Sequence, residues 1–352
     1  MDSTLRGNLG QELDAVVDVY GFEAALIVPA FPRIGRTTVN GVHYIHGVPV
    51  NETEIAKDPK TPVPEADVAK LLSLQSRRSC ISIDLPTLRS GETAVRLRIE
   101  ESLKHPAPYI ILDAETDEDM KLIAGLVADY ENRFLWAGSA GLAEHLQAQG
   151  SGNTGFRPQL NISAAYPIML VAGSISKVTR DQVAAFNEQP GVVSVEMDPL
   201  ALMASPGQWN SEEERCFRLL VEALNKGLDV SLYAGSSPEQ VRLANEMGAQ
   251  IGLDSSSVSN RIADSLGGIA GKVVSVCRLG GLVLTGGDTA KAVSRHMGVR
   301  GIQLLAELEA GIPLGRLLGA GNLLAVTKAG AFGNKESLLY AKQILKGESA
   351  IV

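Results

Sequence analysis

Short, wholly apolar runs recur along this chain, each followed or preceded by a stretch with helical spacing. In the first half these runs are "AALIVPA", "CISID", "YIILDA" and "RFLWAG", with helical patterns over 9–20, 65–75, 92–103 and 117–130. Runs apolar on both sides of the pleat are strands buried on both faces, and alternation with helices implies a mainly parallel sheet covered by helices. Leu9, Leu13, Val16, Val17 and Tyr20 form one helical stripe, with Asn8 as its cap. "TTVNGVHYIHGVPV" alternates instead and carries Asn40-Gly41 and His46-Gly47, which reads as hairpin excursions from the sheet.

Periodicity is lost over 148–165, "AQGSGNTGFRPQLNISAA", where Gly, Ser, Asn and Pro collect. That composition marks a boundary between two domains, 1–150 and 166–352, and a chain of 352 residues has length enough for both. Beyond it come "YPIMLVAG", a helix from 178, "VVSVEM", a helix over 211–226, "DVSLYAG" and a long helix over 257–276. The pattern continues with "GLVLTGG", a helix from 289, "GIQLLAEL", "NLLAVTKAG" and a helix from 335. The expected fold class is α/β: two domains, each a mainly parallel sheet covered by helices.

Three strand-to-helix turns of the second half have the make-up of a phosphate cradle. "MLVAGSISKVT" ends a strand in Gly173 and Ser174, and Ser176 with Lys177 opens a helix. "LVLTGGDTAKAV" runs from Thr285 through Gly286, Gly287, Asp288 and Thr289 into the next helix. "LLAVTKAGAFGN" places Gly330 and Gly333 around Phe332. Glycine allows close backbone approach, exposed N–H groups point outward, and a helix N-terminus favours negative charge. Each turn alone is ordinary loop chemistry. Three at the carboxyl edge of one sheet, where open α/β sheets bind ligands, point to a nucleotide or another phosphate ligand. None has P-loop spacing or a dinucleotide fingerprint, which argues against an NAD-dependent dehydrogenase.

A formal net charge of −8, with no basic block, argues against nucleic acid as a partner. No run of about 18 apolar residues suggests a membrane span, and no leader pattern is present, so the expected location is the cytoplasm. Cys80, Cys216 and Cys277 are too few and too scattered for a disulfide framework. Cys80 lies in an apolar strand and reads as core. His43 and His46 sit in a hairpin, a poor setting for a metal pair. The opening residues, "MDSTLRGNLG", gather Asp2, Ser3, Thr4, Arg6 and Asn8 like the wall of an anion site.

The blocks "DSTLRGN", "PAFPRIGRTTVNG", "GVPVNETEIAKDP", "GSAGLAE", "VAGSIS", "LTGGDTA", "GIPLGRLLG" and "VTKAGAFG" follow the order seen in the four-carbon acid sugar kinase family, which the chain resembles from residue 2 to about 340. The resemblance implies ATP- and Mg²⁺-dependent phosphorylation of an acid such as threonate, erythronate or 3-oxo-tetronate. It implies an N-terminal acid-sugar domain, a C-terminal nucleotide domain and a ligand site in the cleft between them. Ser3, Arg6, Gly7 and Asn8 match the family's substrate motif, in which a guanidinium grips a carboxylate bidentately. The plain alternative there is a capped helix beside a solvated arginine. Ser174, Ser176, Gly286, Gly287, Asp288, Thr289 and Gly330 match its ATP-contacting turns.

Asp288 reads as a helix cap more readily than as a Mg²⁺ ligand, and Lys328 as surface more readily than as a phosphate contact. Arg33 and Arg36 are weaker substrate candidates, since loop arginines are usually solvated. Asp84 and Asp113 end strands at the ligand edge. Family members continue ahead of the "DSTLRGN" block with a strand ending in Ala-Asp-Asp. The resemblance therefore puts the general base outside residues 1–352, and no catalytic residue is named. It also leaves room for a separate N-terminal polypeptide, for a homo-oligomer, or for a catalytically silent nucleotide- or metabolite-binding remnant.

Overall fold

A computed structural model of the protein describes residues 1–57, 61–126, 130, 133–146, 166–330 and 332–348. The chain divides into two compact units, Met1–Thr154 and Gly155–Val352. The stretch 148–165, read above as the boundary, lies outside the described residues. No helix among the described residues is long and apolar enough to cross a membrane.

The first unit runs α1 (Leu9–Tyr20), β1 (Ala24–Val28), β2 (Arg36–Val39), β3 (Val42–Ile45), β4 (Val48–Pro49), α2 (Val68–Ser73), β5 (Cys80–Ile83) and α3 (Leu85–Arg89). It continues with α4 (Glu92–Ser102), β6 (Tyr109–Leu112), α5 (Asp117–Gly125), β7 (Phe134–Gly138) and α6 (Ala140–His145). Its main sheet has the order β5-β6-β1-β7, parallel throughout. Side chains of β1 and β6 alternate between two cores, as the period of two requires. Leu26, Val28, Ile110 and Leu112 meet Val95, Ile99, Met120 and Ile123 of α4 and α5 on one side. Ala25, Ile27, Tyr109 and Ile111 meet Val17, Val68, Leu71 and Leu72 of α1 and α2 on the other. Strands β2, β3 and β4 form a separate antiparallel sheet. Asn40 (φ 52°) and Gly41 (φ 74°) make the tight turn between β2 and β3, the backbone that an Asn-Gly pair favours. Cys80 is a correction: it lies on the edge strand and is half-buried, packed against the core's margin, and burial pushes its thiol up to about 11.

The second unit runs β8 (Ile168–Ala172), α7 (Lys177–Asn187), β9 (Val192–Met197), α8 (Ala201–Ala204), α9 (Pro206–Asn225), β10 (Asp229–Ala234) and α10 (Pro238–Gln250). Then come α11 (Ser255–Val276), β11 (Gly281–Thr285), α12 (Gly287–His296), β12 (Gly301–Glu309), β13 (Ile312–Leu318), β14 (Leu324–Lys328) and α13 (Ser337–Lys346). Strand order is β12-β13-β14-β11-β8-β10-β9. The five strands from β14 to β9 are parallel, and β12 and β13 extend that sheet antiparallel. Leu220, Leu266, Ile269, Val273 and Val293 cover one face of the sheet, while Phe186, Leu338, Ile344 and Leu345 cover the other.

Candidate functional site

In the first unit the loop before α1 is drawn into a tight knot. Leu5 takes φ 60°, a costly backbone for a branched side chain, and offsets it by burying that side chain in the core. The turn puts Asp2, Thr4 and Arg6 together. Asp2 Oδ1 accepts from Thr4 N at 2.8 Å and Thr4 Oγ1 at 2.7 Å. Arg6 Nη2 donates to Asp2 Oδ2 at 3.1 Å and Arg6 Nε to Thr4 Oγ1 at 3.0 Å. Burial would raise the Asp2 carboxyl, but the hydrogen bonds from Thr4 and the charge of Arg6 hold it below its usual range.

Arg36 is the larger surprise. It is 3 % exposed, not solvated, and donates to Ser3 Oγ. Burial, and then the neighbouring Arg6 against the attraction of Asp2, brings its guanidinium down to about 10, still charged at neutral pH. Beside it His43 is fully buried, and burial lowers it to about 4, so the ring is neutral. Ser3 O can only accept, so His43 Nε2 carries the proton and donates to it at 2.8 Å, while Thr38 Oγ1 donates to Nδ1 at 3.0 Å. The hairpin β2–β3 thus holds Ser3 by its hydroxyl and its carbonyl. Arg6 pairs with the Asp2 carboxylate, and Arg36 lies near enough to feel its charge.

Asp113 pins the tip of this hairpin. Its Oδ1 accepts from Gly41 N at 3.0 Å, and Oδ2 is buried without a partner among the described residues. Burial lifts its carboxyl to about 6, with the charge of Asp84 adding and the turn N–H groups opposing. Asp84 serves as the N-cap of α3, accepting from Thr87 N at 3.0 Å. Asn8 caps α1 and pairs with Gln11, Gly7 is exposed at φ 105°, and Arg33 reaches Glu144 at 2.6 Å.

In the second unit the three glycine turns come together at the carboxyl edge of the sheet. Gly173 N donates to Thr285 O at 3.3 Å and Gly286 N to Lys328 O at 3.0 Å, which ties each turn to the next. Ser176 caps α7, and its hydroxyl donates to Gly330 O at 2.9 Å, as Thr179 Oγ1 does at 2.7 Å. Two of the glycines lie against neighbouring hydroxyls. A Cβ on Gly330 would stand 2.3 Å from Ser174 Oγ, and one on Gly173 2.2 Å from Thr289 Oγ1. Gly286 sits at φ 99° as the N-cap of α12, whereas Gly287 opens onto free space. Because Gly286 takes the cap position, Asp288 falls in the first turn and is exposed; the expectation that it caps the helix is overturned.

Lys328 is also corrected, being buried and not on the surface. Its Nζ donates to the carbonyls of Ala329 and Gly330 at 3.0 Å and Phe332 at 3.1 Å, and burial lowers the ammonium to about 7. Gln182 Nε2 holds Phe332 O and Asn334 O from the other side. Sequence reasoning missed Thr179 and Gln182. Thr179 had a signal, since its place three residues after the Ser176 cap brings it to the same turn.

A model of a sugar-binding N-terminal domain matches residues 1–146, and one of a nucleotide-binding C-terminal domain matches residues 169–338. The chain is 34% identical over 349 residues to a D-threonate kinase of Bordetella bronchiseptica, covering 98% of this chain and 77% of that protein. It is 30% identical over 342 residues to a D-erythronate kinase of Heliobacterium modesticaldum, covering 96% and 76%. A solved structure from Salmonella typhimurium LT2 shares the fold at a TM-score of 0.74 and 21% identity, over 97% of this chain and 79% of that one. On these matches, the chain belongs to the four-carbon acid sugar kinase family.

Proposed function

We propose that the protein transfers the γ-phosphoryl group of ATP to a hydroxyl of a four-carbon sugar acid of the threonate, erythronate or 3-oxo-tetronate class. The observation that carries the reading is the interlocking of the Ser174, Gly286 and Gly330 turns, each packed so closely that a side chain on Gly173 or Gly330 would occupy the shared space. Such a cradle offers backbone N–H groups and two helix N-termini, those of α7 and α12, to phosphate oxygens. Thr285 Oγ1, buried at the end of β11 with no partner among the described residues, adds an unspent hydroxyl at the same edge. Ser174, Ser176, Gly286, Gly287, Thr289 and Gly330 would take the phosphates.

Mg²⁺ would travel with the nucleotide and neutralise phosphate charge. No group of three or more His, Cys, Asp or Glu among the described residues is placed to hold a metal, and Mg²⁺ with nucleotides needs only one or two carboxylates. The exposed Asp288 suits that part. In the first unit, Arg36 and Arg6 would receive the acid's carboxylate, with Ser3 reaching a hydroxyl and Asp2 orienting Arg6. Phosphoryl transfer is chiefly positioning and charge neutralisation, which these groups supply. The test is coupled ADP release on a panel of D-threonate, D-erythronate and 3-oxo-tetronate. Turnover of one acid well above the others is expected, and no turnover of any would overturn the reading.

A further inference from the structure

Lys328 ends β14 and leads into the turn that carries Gly330 and Gly333. An ammonium has three N–H groups, and here all three are engaged, with Ala329 O and Gly330 O at 3.0 Å and Phe332 O at 3.1 Å. None is left over to reach a ligand. Gly330 O also receives the hydroxyls of Ser176 and Thr179, and Gln182 Nε2 donates to Phe332 O and Asn334 O. The carbonyls of this turn therefore converge on donors from β14 and α7. A trans peptide points its C=O and its N–H in opposite directions. Ala329 O drawn toward Lys328 turns Gly330 N away from it, and Phe332 O does the same for Gly333 N. Neither Gly330 N nor Gly333 N has a hydrogen-bond partner among the described residues. Lys328 O meanwhile accepts from Gly286 N at 3.0 Å, so the same residue also holds the neighbouring turn.

We infer that Lys328 is a positioning residue of the nucleotide site: without touching the ligand, its buried ammonium aims the Gly330 and Gly333 N–H groups at the phosphates, and phosphate binding draws a proton onto it. The inference deepens the nucleotide reading above and rests on it. The two protonation states differ in what they can hold, since the ammonium donates to three carbonyls and the neutral amine to two at most. Burial lowers the ammonium to about 7, against the raising charge of Glu309 at the end of β12. Ser337 of α13 donates to that carboxylate at 2.8 Å. Helix α7 brings the uncharged Ser176, Thr179 and Gln182 to the turn, while its Lys177 pairs with Asp181 and its Arg180 with Ser236 O. Lys335 and Glu336, after the turn, and Asp288 of α12 are exposed to water. A phosphate on the far side of the turn adds negative charge near the ammonium and favours its protonated form. Above about pH 7, binding therefore takes a proton from solution and weakens as pH rises. Below that, the ammonium is already formed and the dependence fades.

Calorimetry on the full chain with Mg²⁺ at pH 8, run in Hepes and in Tris, whose ionisation enthalpies differ, counts the protons exchanged. ADP and inorganic tripolyphosphate are the probes. The wild type is expected to take up about half a proton per molecule of either. Lys328→Met keeps an unbranched side chain and removes the charge. It is expected to take up none and to bind both probes about tenfold more weakly. In steady state it should raise the KM for ATP about tenfold and leave that for the acid within about twofold. Where circular dichroism shows that Lys328→Met has lost its fold, the wild type decides, since its proton uptake must be larger at pH 8 than at pH 6. Three results overturn the role of Lys328 and leave the phosphate turns standing: binding without proton uptake, wild-type affinity in folded Lys328→Met, or an equal rise in both KM values. Failure of the wild type to bind either probe overturns the nucleotide reading itself.

Discussion

Arg6 pairs with the carboxylate of Asp2, Arg36 feels that charge and holds Ser3, and the two differ in burial: Arg36 is enclosed, Arg6 is partly open to water. Replacing either by lysine keeps the charge and loses the planar fork. Arg6→Lys is expected to raise the KM for the acid while leaving that for ATP unchanged. A lost charged hydrogen bond is worth about 1.5–3 kcal/mol, hence roughly a tenfold to hundredfold change. Arg36→Lys should do the same and also lower stability, because a buried ammonium cannot reproduce the contact with Ser3. Steady-state kinetics with each substrate varied in turn check both, and an equal rise in the ATP constant would show that the arginines do not serve the acid in particular. Asp113 gives a pH signature of known sign. Its carboxyl rises from 3.8 to about 6 on folding, so the native state holds a proton that the unfolded chain releases. The stability it contributes is fully present below pH 3.8 and is lost as pH rises through about 6, an interval worth about 3 kcal/mol at most. Asp113→Asn does not titrate, so urea melts at pH 4 and pH 7 should show the variant gaining on the wild type as pH rises.

The turns of the second unit separate two kinds of glycine. Gly286 has a left-handed backbone and Gly287 has neither that backbone nor a neighbour at its Cβ. Gly287→Val is therefore expected to keep the fold and block the approach of phosphate, abolishing nucleotide binding in calorimetry with the melting temperature little changed. Gly286→Val should cost stability as well, by about 1–2 kcal/mol from backbone strain. A Gly287→Val chain that unfolds would make that glycine structural. These glycines were legible because strand, glycine and hydroxyl follow one another locally. The strands β1, β8 and β11 were legible for the same kind of reason, being apolar without a break and buried throughout. Helix α10 was not anticipated, although Ser237 and Gln240 form a capping box at its start. It buries only Ala244 and Gly248, and a helix of that sort shows almost no apolar stripe. Strand β13 was hidden by Pro313 and Gly315, which demote a strand pattern although β13 is paired on both sides, to β12 and β14. The burial of Arg36 and of Lys328 was illegible in principle. It comes from a hairpin folding onto the loop at 2–6 and from a loop folding onto its own carbonyls, contacts that no local pattern announces.

Each unit is built around the strand that comes first in its sheet: β1 pairs with β6 and β7, and β8 with β10 and β11. That placement governs the order of events when the chain folds. Ile168 has its partner at Gly281, so β8 emerges long before the strand that will lie beside it, and α13, which packs on the same strands, comes later still. Closing so long a loop is repaid only when the distant contact forms, which slows folding and leaves apolar strands waiting in the open. The second unit is therefore expected to refold as a late, cooperative event, without an early native-like half. Pulse-labelled hydrogen exchange during refolding from urea should find the amides of β8 and β11 protected together. Protection of β8 well ahead of β11 would show that the centre of the sheet is organised before its partners arrive.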